Sequence, residues 1–180
     1  MIKMYRASEK DIDTLVSLRL EMLKEVNDLG DGHVFTPSFT ESVRSYFLNG
    51  DQSTWIVIED EPVCCASISY FDIMPTFSHP SGKRAQIMNV YTKKDYRRQG
   101  YATTLIELLI EEAKDKGVTE IRLDSTDIAR GVYTCNGFEE SEECMVLDIN
   151  RLLKNNIEKA EKYGCKSGGC GSCGGCSGCG

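Results

Sequence analysis

An apolar run, Ile87-Met88-Asn89-Val90-Tyr91, is followed by a basic, glycine-bearing turn, Arg97-Arg98-Gln99-Gly100-Tyr101-Ala102, and then at once by an amphipathic stretch. No other feature restricts the fold so tightly. The run is rich in residues that favour strands. Beyond the turn, Leu105, Ile106, Leu108, Leu109, Ile110 and Ala113 recur at helical spacing, and Gly117 supplies a stop. A strand that turns tightly into a helix leaves backbone N–H groups without internal acceptors. Together with the helix dipole, those groups form a site for a pyrophosphate. Gly100 lets such a ligand approach the main chain because it has no side chain. Lys93, Lys94, Arg97 and Arg98 gather positive charge in a chain whose formal net charge is -7. Local basicity within an acidic chain points to an anionic ligand at this turn. A lone strand–turn–helix with one glycine is also an ordinary connection, so the assignment needs support from elsewhere in the chain.

The rest of the pattern is that of a mixed α/β domain. Residues 1 to 7 read as a strand. Ser8 with Asp11 forms a capping pair ahead of Ile12, Leu15, Val16, Leu18, Leu20 and Leu23, a helical stripe that runs to about Val26. Asn27 to Pro37 is a polar loop, and Ser38 with Glu41 repeats the capping pattern before a short helix ending near Gly50. Thr54–Ile58 and Val63–Tyr70 form a hairpin pair, and Asp72 to Gly82 is a loop. Ala85–Tyr91 is the strand entering the basic turn. It is followed by a helix over Tyr101–Lys116 and a strand over Thr119–Ser125. A strand–helix–strand crossover of this length requires those two strands to be parallel. A short helix over Ile128–Cys135 and a final strand over Met145–Ile149 complete the body.

Three motifs together resemble the GNAT superfamily of N-acetyltransferases. Arg97-x-x-Gly100-x-Ala102 looks like its acyl-CoA pyrophosphate loop. Val132-Tyr133-Thr134-Cys135-Asn136-Gly137-Phe138 resembles its tyrosine-bearing helix and glycine-phenylalanine turn. Ile2 to Asp11 resembles its first strand and helix entry. The resemblance covers residues 1 to 149 and implies a GNAT-like central mixed sheet flanked by helices. It also implies acetyl-CoA as co-substrate and a primary amine of a small molecule or peptide as acceptor, attacked directly in a ternary complex.

Acyl transfer from a thioester needs donors for the carbonyl oxygen, a neutral amine and a proton for the departing thiolate. By resemblance, the strand before the turn bulges and parts from its parallel neighbour. The pantetheine arm lies in that gap, against main-chain groups at Val90, Tyr91 and Ser125, and an N–H near Val90 binds the carbonyl. Arg97, Arg98, Gln99, Gly100, Tyr101 and Ala102 hold the diphosphate, and Tyr133 protonates the thiolate. A phenol, at about 10, sits above a thiol at about 8.5, so the pKa order alone does not decide that role. Many GNAT members place a carboxylate on the strand before the turn. This chain has Gln86 and Asn89 there, which leaves the base open among Asp72, His79 and Asp124, with Asn89 able to orient a water or the substrate. Cys135, two residues past Tyr133, reads as a small buried thiol. The acceptor loops in such a fold would be Asn27 to Pro37 and Asp72 to Gly82.

The C-terminal part is different in kind. Asn150 to Tyr163 carries a helical stripe, Leu152, Leu153, Ile157 and Ala160, and reads as an amphipathic helix. Residues 164–180 contain only Gly, Cys, Ser and one Lys, with nothing large to bury, and read as a flexible tail. Within it Cys170, Cys173, Cys176 and Cys179 form a regular thiol array of the kind that holds zinc or an iron–sulfur cluster. An unstructured tail, adventitious disulfides, or a cysteine-rich peptide modified by other enzymes fit the same spacing. The second function class is therefore an acyl-CoA-binding module acting through a metal-binding or redox tail. The acidic balance, with no long basic face, argues against a nucleic-acid partner. No apolar stretch is long enough to span a bilayer, and the N-terminus turns polar within its first dozen residues, so the expected setting is the cytoplasm.

Overall fold

The computed structural model describes residues 2–141 and 145–150. They fall into two units, one ending at Glu139 and one beginning at Glu140. In the first unit, strand β1 (Lys3–Arg6) leads into helix α1 (Ile12–Val26) through a single 3-10 turn, Glu9–Asp11. The capping pair read from the sequence is present: the Ser8 N–H donates to Asp11 Oδ2 at 2.8 Å. Helix α2 (Pro37–Asn49) is capped two residues earlier than the sequence pattern suggested. Thr36, not Ser38, accepts from the Phe39 N–H at 3.3 Å, and Pro37 takes the first helical position, where its missing N–H costs nothing.

Strands β2 (Gln52–Ile58), β3 (Pro62–Asp72) and β4 (Lys83–Thr92) follow. Helix α3 (Tyr101–Asp115), strand β5 (Glu120–Leu123) and helix α4 (Arg130–Cys135) complete the unit. The sheet order is β1-β2-β3-β4-β5. The first four strands are antiparallel in chain order, and β5 lies parallel to β4. Each face of the sheet has its own core. Ile12, Leu15, Val16 and Leu18 of α1 and Phe47 of α2 bury Ile56, Cys65 and Tyr91 on one face. Leu105, Ile106 and Leu109 of α3, with Tyr133 of α4, bury Val57, Ala66, Ile68, Ala85 and Ile87 on the other. The α3 stripe is apolar at its centre because the helix lies flat on the sheet; the α1 stripe is apolar except at Arg19.

Strand β4 changes character halfway. Cys65 pairs with Tyr91 and Ser67 pairs with Met88, so Ala66 alone spans both Asn89 and Val90. This is a β-bulge, with Asn89 at φ 55°, a left-handed conformation that asparagine tolerates better than most residues. The extra residue reverses the alternation: Ala85 and Ile87 face α3, whereas Tyr91 faces α1. On the other edge, pairing with β5 runs from Arg84–Glu120 to Ile87–Leu123 and stops. From Met88 to Thr92 no described strand pairs with that edge.

Two expectations are corrected. Strand β5 ends at Leu123, not Ser125, because β4 turns away and removes its ladder partner. In the second unit, residues 145–148 form no strand, and Ile149 and Asn150 are helical. Apolar composition marked Met145–Ile149 as a strand, but a strand also needs a hydrogen-bonded neighbour. The amphipathic helix beyond Asn150 and the 164–180 tail lie outside the described residues.

Candidate active site

The basic turn is concave and carries unused main-chain amides. Lys94–Tyr96 makes one 3-10 turn, Arg97 is extended, and Arg98 and Gly100 adopt φ 65° and 84°. Left-handed residues on either side of Gln99 make the turn concave and aim successive amides to one side. The first helical bond of α3 runs from the Thr104 N–H to Gly100 O at 3.0 Å. The amides of Tyr101, Ala102 and Thr103 lie ahead of it and are not used by the helix. A Cβ built on Gly100 would meet nothing within 4 Å. The glycine is therefore required by its φ and by the open approach it leaves, not by a close protein neighbour.

The basic residues divide in two. The Arg97 Nε donates to Thr92 O at 2.9 Å and its Nη2 pairs with Glu25 at 2.5 Å; Lys93 pairs with Glu61 at 2.8 Å. Lys94 and Arg98 are exposed and carry no ion pair among the described residues. Tyr101 offers its amide to the turn while its buried ring sends the hydroxyl to Glu59. Gln99 and Ala102 lie on the same turn, with Gln99 exposed.

The unpaired edge of β4 leads straight into this turn. Val90 packs on the α3 side, and Tyr91 turns to α1, where its hydroxyl donates to Glu21 at 3.0 Å and to Glu25 at 3.3 Å. Burial, then Glu21, raises the Tyr91 pKa well above its ordinary value. Ser125 lies beyond the end of β5, exposed, with its hydroxyl donating to Thr126 O at 2.8 Å.

Tyr133 is 8% exposed, on the α3 side of the sheet, with its ring edge-on to Phe138 at 6.0 Å. Its hydroxyl has no hydrogen-bond partner among the described residues. Burial raises its pKa from the ordinary value, which keeps the phenol protonated. Cys135, expected to be buried, is exposed. Two residues is a rotation of about 200° along a helix, so with Tyr133 facing inward Cys135 faces out.

The three base candidates separate cleanly. Asp72 sits opposite Lys83 at the start of β4, and His79 pairs with Glu120 at 3.0 Å at that same end. A recess of about 410 Å³ lined by Tyr70, Asp72, Lys83 and Lys116 also lies there. The bulge is six residues further along β4, about 20 Å in an extended strand. Asp124 follows Leu123, where β4 and β5 part, and accepts from Gln86 Nε2 at 3.2 Å. The expected acceptor loop after α1 bounds a second recess, of about 460 Å³, with His33, Val34 and Phe35 facing Leu20, Glu21 and Lys24. One residue carries a signal that the sequence reading did not use: Arg19, half-buried on the inward face of α1 and without a carboxylate partner among the described residues. Its signal was there, a cation in the middle of an apolar stripe.

Comparison with known proteins decides the family. The model of the acetyltransferase (GNAT) family matches residues 20–138. The chain belongs to the GNAT family. N-acetyltransferase 8 of Homo sapiens is 32% identical over 119 residues, covering 63% of this chain and 50% of that protein. N-acetyltransferase 8F1 of Rattus norvegicus is 26% identical over 115 residues, covering 62% and 50%. The chain thus spans about half the length of these curated relatives. A predicted acetyltransferase from Clostridium acetobutylicum, crystallised with acetyl-CoA, superposes with a TM-score of 0.73 at 28% identity, covering 84% of this chain and 98% of that one. A GCN5-related N-acetyltransferase from Ralstonia eutropha JMP134 superposes at 0.69 with 18% identity, covering 83% and 99%, a likeness of fold. The mixed sheet expected from the three motifs is therefore the fold of this chain. No helix among the described residues is long and apolar enough to cross a membrane. No described cluster of three or more His, Cys, Asp or Glu could hold a metal ion. The four tail cysteines lie outside the described residues.

Proposed function

We propose that the chain transfers an acetyl group from acetyl-CoA to a primary amine of a small molecule or peptide, by direct attack in a ternary complex. The observation that carries this reading is the unpaired, bulged edge Met88–Thr92 running into the left-handed Arg98 and Gly100 and the unused amides of α3. Those groups fit a thioester carrier: a strand edge for the amides of the pantetheine arm and a concave cationic turn for its diphosphate. The carrier supplies the activated acyl group. The bulge, at the main-chain N–H of Val90, holds the carbonyl oxygen as it gains negative charge. The amine nitrogen forms the new C–N bond and the C–S bond breaks. Tyr133 gives its proton to the leaving sulfur, and the proton shed by the nitrogen restores the phenol. Asp124 is the candidate base that stands where the strands part. We place the activity in the cytoplasm, a setting compatible with the free thiols of Cys64, Cys65 and Cys135.

Measuring CoA release across polyamines, aminoglycosides, amino acids and peptide N-termini tests the reading. Turnover with at least one class, together with calorimetric binding of acetyl-CoA, is expected, and no binding by folded protein would overturn it. The spacing of Cys170, Cys173, Cys176 and Cys179 favours one second reading, an acyl-CoA-binding module that acts through a soft metal on its tail. Metal analysis of anaerobically purified full chain, beside a version ending at Tyr163, separates the two. Tail-dependent metal supports the second, and full activity without the tail rejects it.

A further inference from the structure

Helix α1 carries a residue at odds with its own pattern. Ile12, Leu15 and Val16 are buried, and at 100° per residue Arg19 falls at the centre of their stripe, one turn on. That stripe shares a core with Cys65 of β3 and Tyr91 of β4. The Arg19 guanidinium is half-buried, lies near Cys65 and Tyr46, and among the described residues its one hydrogen-bond contact is the Met22 sulfur, at 4.0 Å. Among the described arginines, Arg6, Arg44, Arg84, Arg97, Arg122 and Arg130 all pair with carboxylates, and Arg98 is exposed. Arg19 alone combines burial with no counter-charge. Burial lowers its pKa from the usual value, but a guanidinium stays charged at any working pH.

A second orphan lies beside the first. Asn89, 8% exposed at the bulge, directs Nδ2 to Ser67 Oγ at 3.4 Å and to Cys65 Sγ at 3.6 Å. Its Oδ1 is buried and has no partner among the described residues. A buried polar atom left unpaired costs about 1–3 kcal/mol. Among the described residues, a cation without an anion and an acceptor without a donor thus lie near the same Cys65, on one face of the sheet, next to the bulge.

We infer that Arg19 and Asn89 are the two ends of the acceptor site, so that the acceptor is a small amine that also bears a carboxylate, an amino-acid-like molecule. Arg19 takes the carboxylate, and Asn89 Oδ1 accepts an N–H from the amine. One guanidinium matches one carboxylate through its planar fork, whereas a phosphate dianion calls for further cations. This inference rests on the acetyl-transfer reading.

Matched acceptors test it: phenylalanine against phenethylamine, lysine against cadaverine, and phosphoethanolamine as the phosphate arm, each with the full chain and saturating acetyl-CoA. The carboxylated member is expected to have a kcat/KM at least about tenfold higher, the scale of one charge-assisted hydrogen bond. Arg19→Gln is expected to erase that preference by raising KM for the carboxylated member only. KM for acetyl-CoA should not change, and Arg19→Lys should recover part of the preference. Equal rates for the pair, preference for the phosphorylated amine, no transfer to any member, or an equal loss on both members in Arg19→Gln would overturn the inference. Should Arg19→Gln fail to fold by thermal melting, the wild-type ratio decides alone. Absence of acetyl-CoA binding would bring down the transferase reading, whereas binding and transfer without carboxylate preference would remove only this one.

Discussion

From Lys83 to Ile87, strand β4 is hydrogen-bonded on both edges; from Met88 to Thr92 it is bonded on one. The first half is joined to β5 by the Arg84–Glu120 ion pair, His79 pairs with the same Glu120, and Asp72 lies opposite Lys83 in the β3 ladder. The second half has a bulge, a left-handed asparagine and a free edge. Paired main chain is structure already committed to the fold. Unpaired main chain beside a concave turn remains available to a ligand. A single strand of ten residues thus divides into a half bonded on both edges and a half left open on one, where we propose the carrier lies.

The largest break in that contrast should come from Gly100→Glu. A carboxylate in the turn repels a diphosphate, and acetyl-CoA affinity by calorimetry is expected to fall by more than about 100-fold. Retained binding would mean that the free half of β4 does not lead to a carrier site. Tyr133→Phe comes next. We expect a loss of about 100-fold in kcat with unchanged acetyl-CoA affinity, since general acids contribute on that scale. The melting temperature should hardly move, because the hydroxyl has no protein partner to lose. The same residue sets a pH expectation. Burial raises the Tyr133 pKa, so the proton-donating form persists through neutral pH and no falling limb from this group appears below about pH 10. A kcat–pH profile that fell near pH 8 through Tyr133 would contradict this.

Gly100→Ala is a finer probe. Space is open at its Cβ, so only the left-handed backbone objects, at about 1–2 kcal/mol. In a chain of this size that lowers the melting temperature by a few degrees, about 2–4 °C per kcal/mol. Affinity for acetyl-CoA should drop far less than with glutamate. The smallest effect belongs to the paired end. His79→Asn removes a partly exposed pair with Glu120 and is expected to cost less than about 1 kcal/mol, with turnover within about twofold. A large activity loss there would assign chemistry to the framework half.

The periodic parts of the molecule were legible from sequence. Helices α1 and α3 announce themselves because a helix lying on a sheet needs an apolar stripe, and the glycine turn because a left-handed start to α3 leaves few choices of residue. The bulge was foreseen only through family resemblance. Its local signal is one asparagine, and asparagines sit in many other places. The cap at Thr36 was hidden by an equally good motif two residues on. The length of β5 depended on where β4 turns away, a tertiary event that no local window contains. Arg19 was passed over because a stripe is read by its apolar members, although the exception was the informative position.

One further consequence follows from the bulge. Because the extra residue reverses which side chains face which helix, everything from Val90 to the basic turn is set by a count of residues rather than by their kinds. Losing Asn89 would swing Tyr91 from Glu21 and Glu25 toward α3 and turn Val90 the other way, since a shift of one residue exchanges the two faces of a strand. In descendants of this chain, β4 and the basic turn that follows it should therefore keep their length, whereas the loop before β4, residues 73–82, should tolerate insertions.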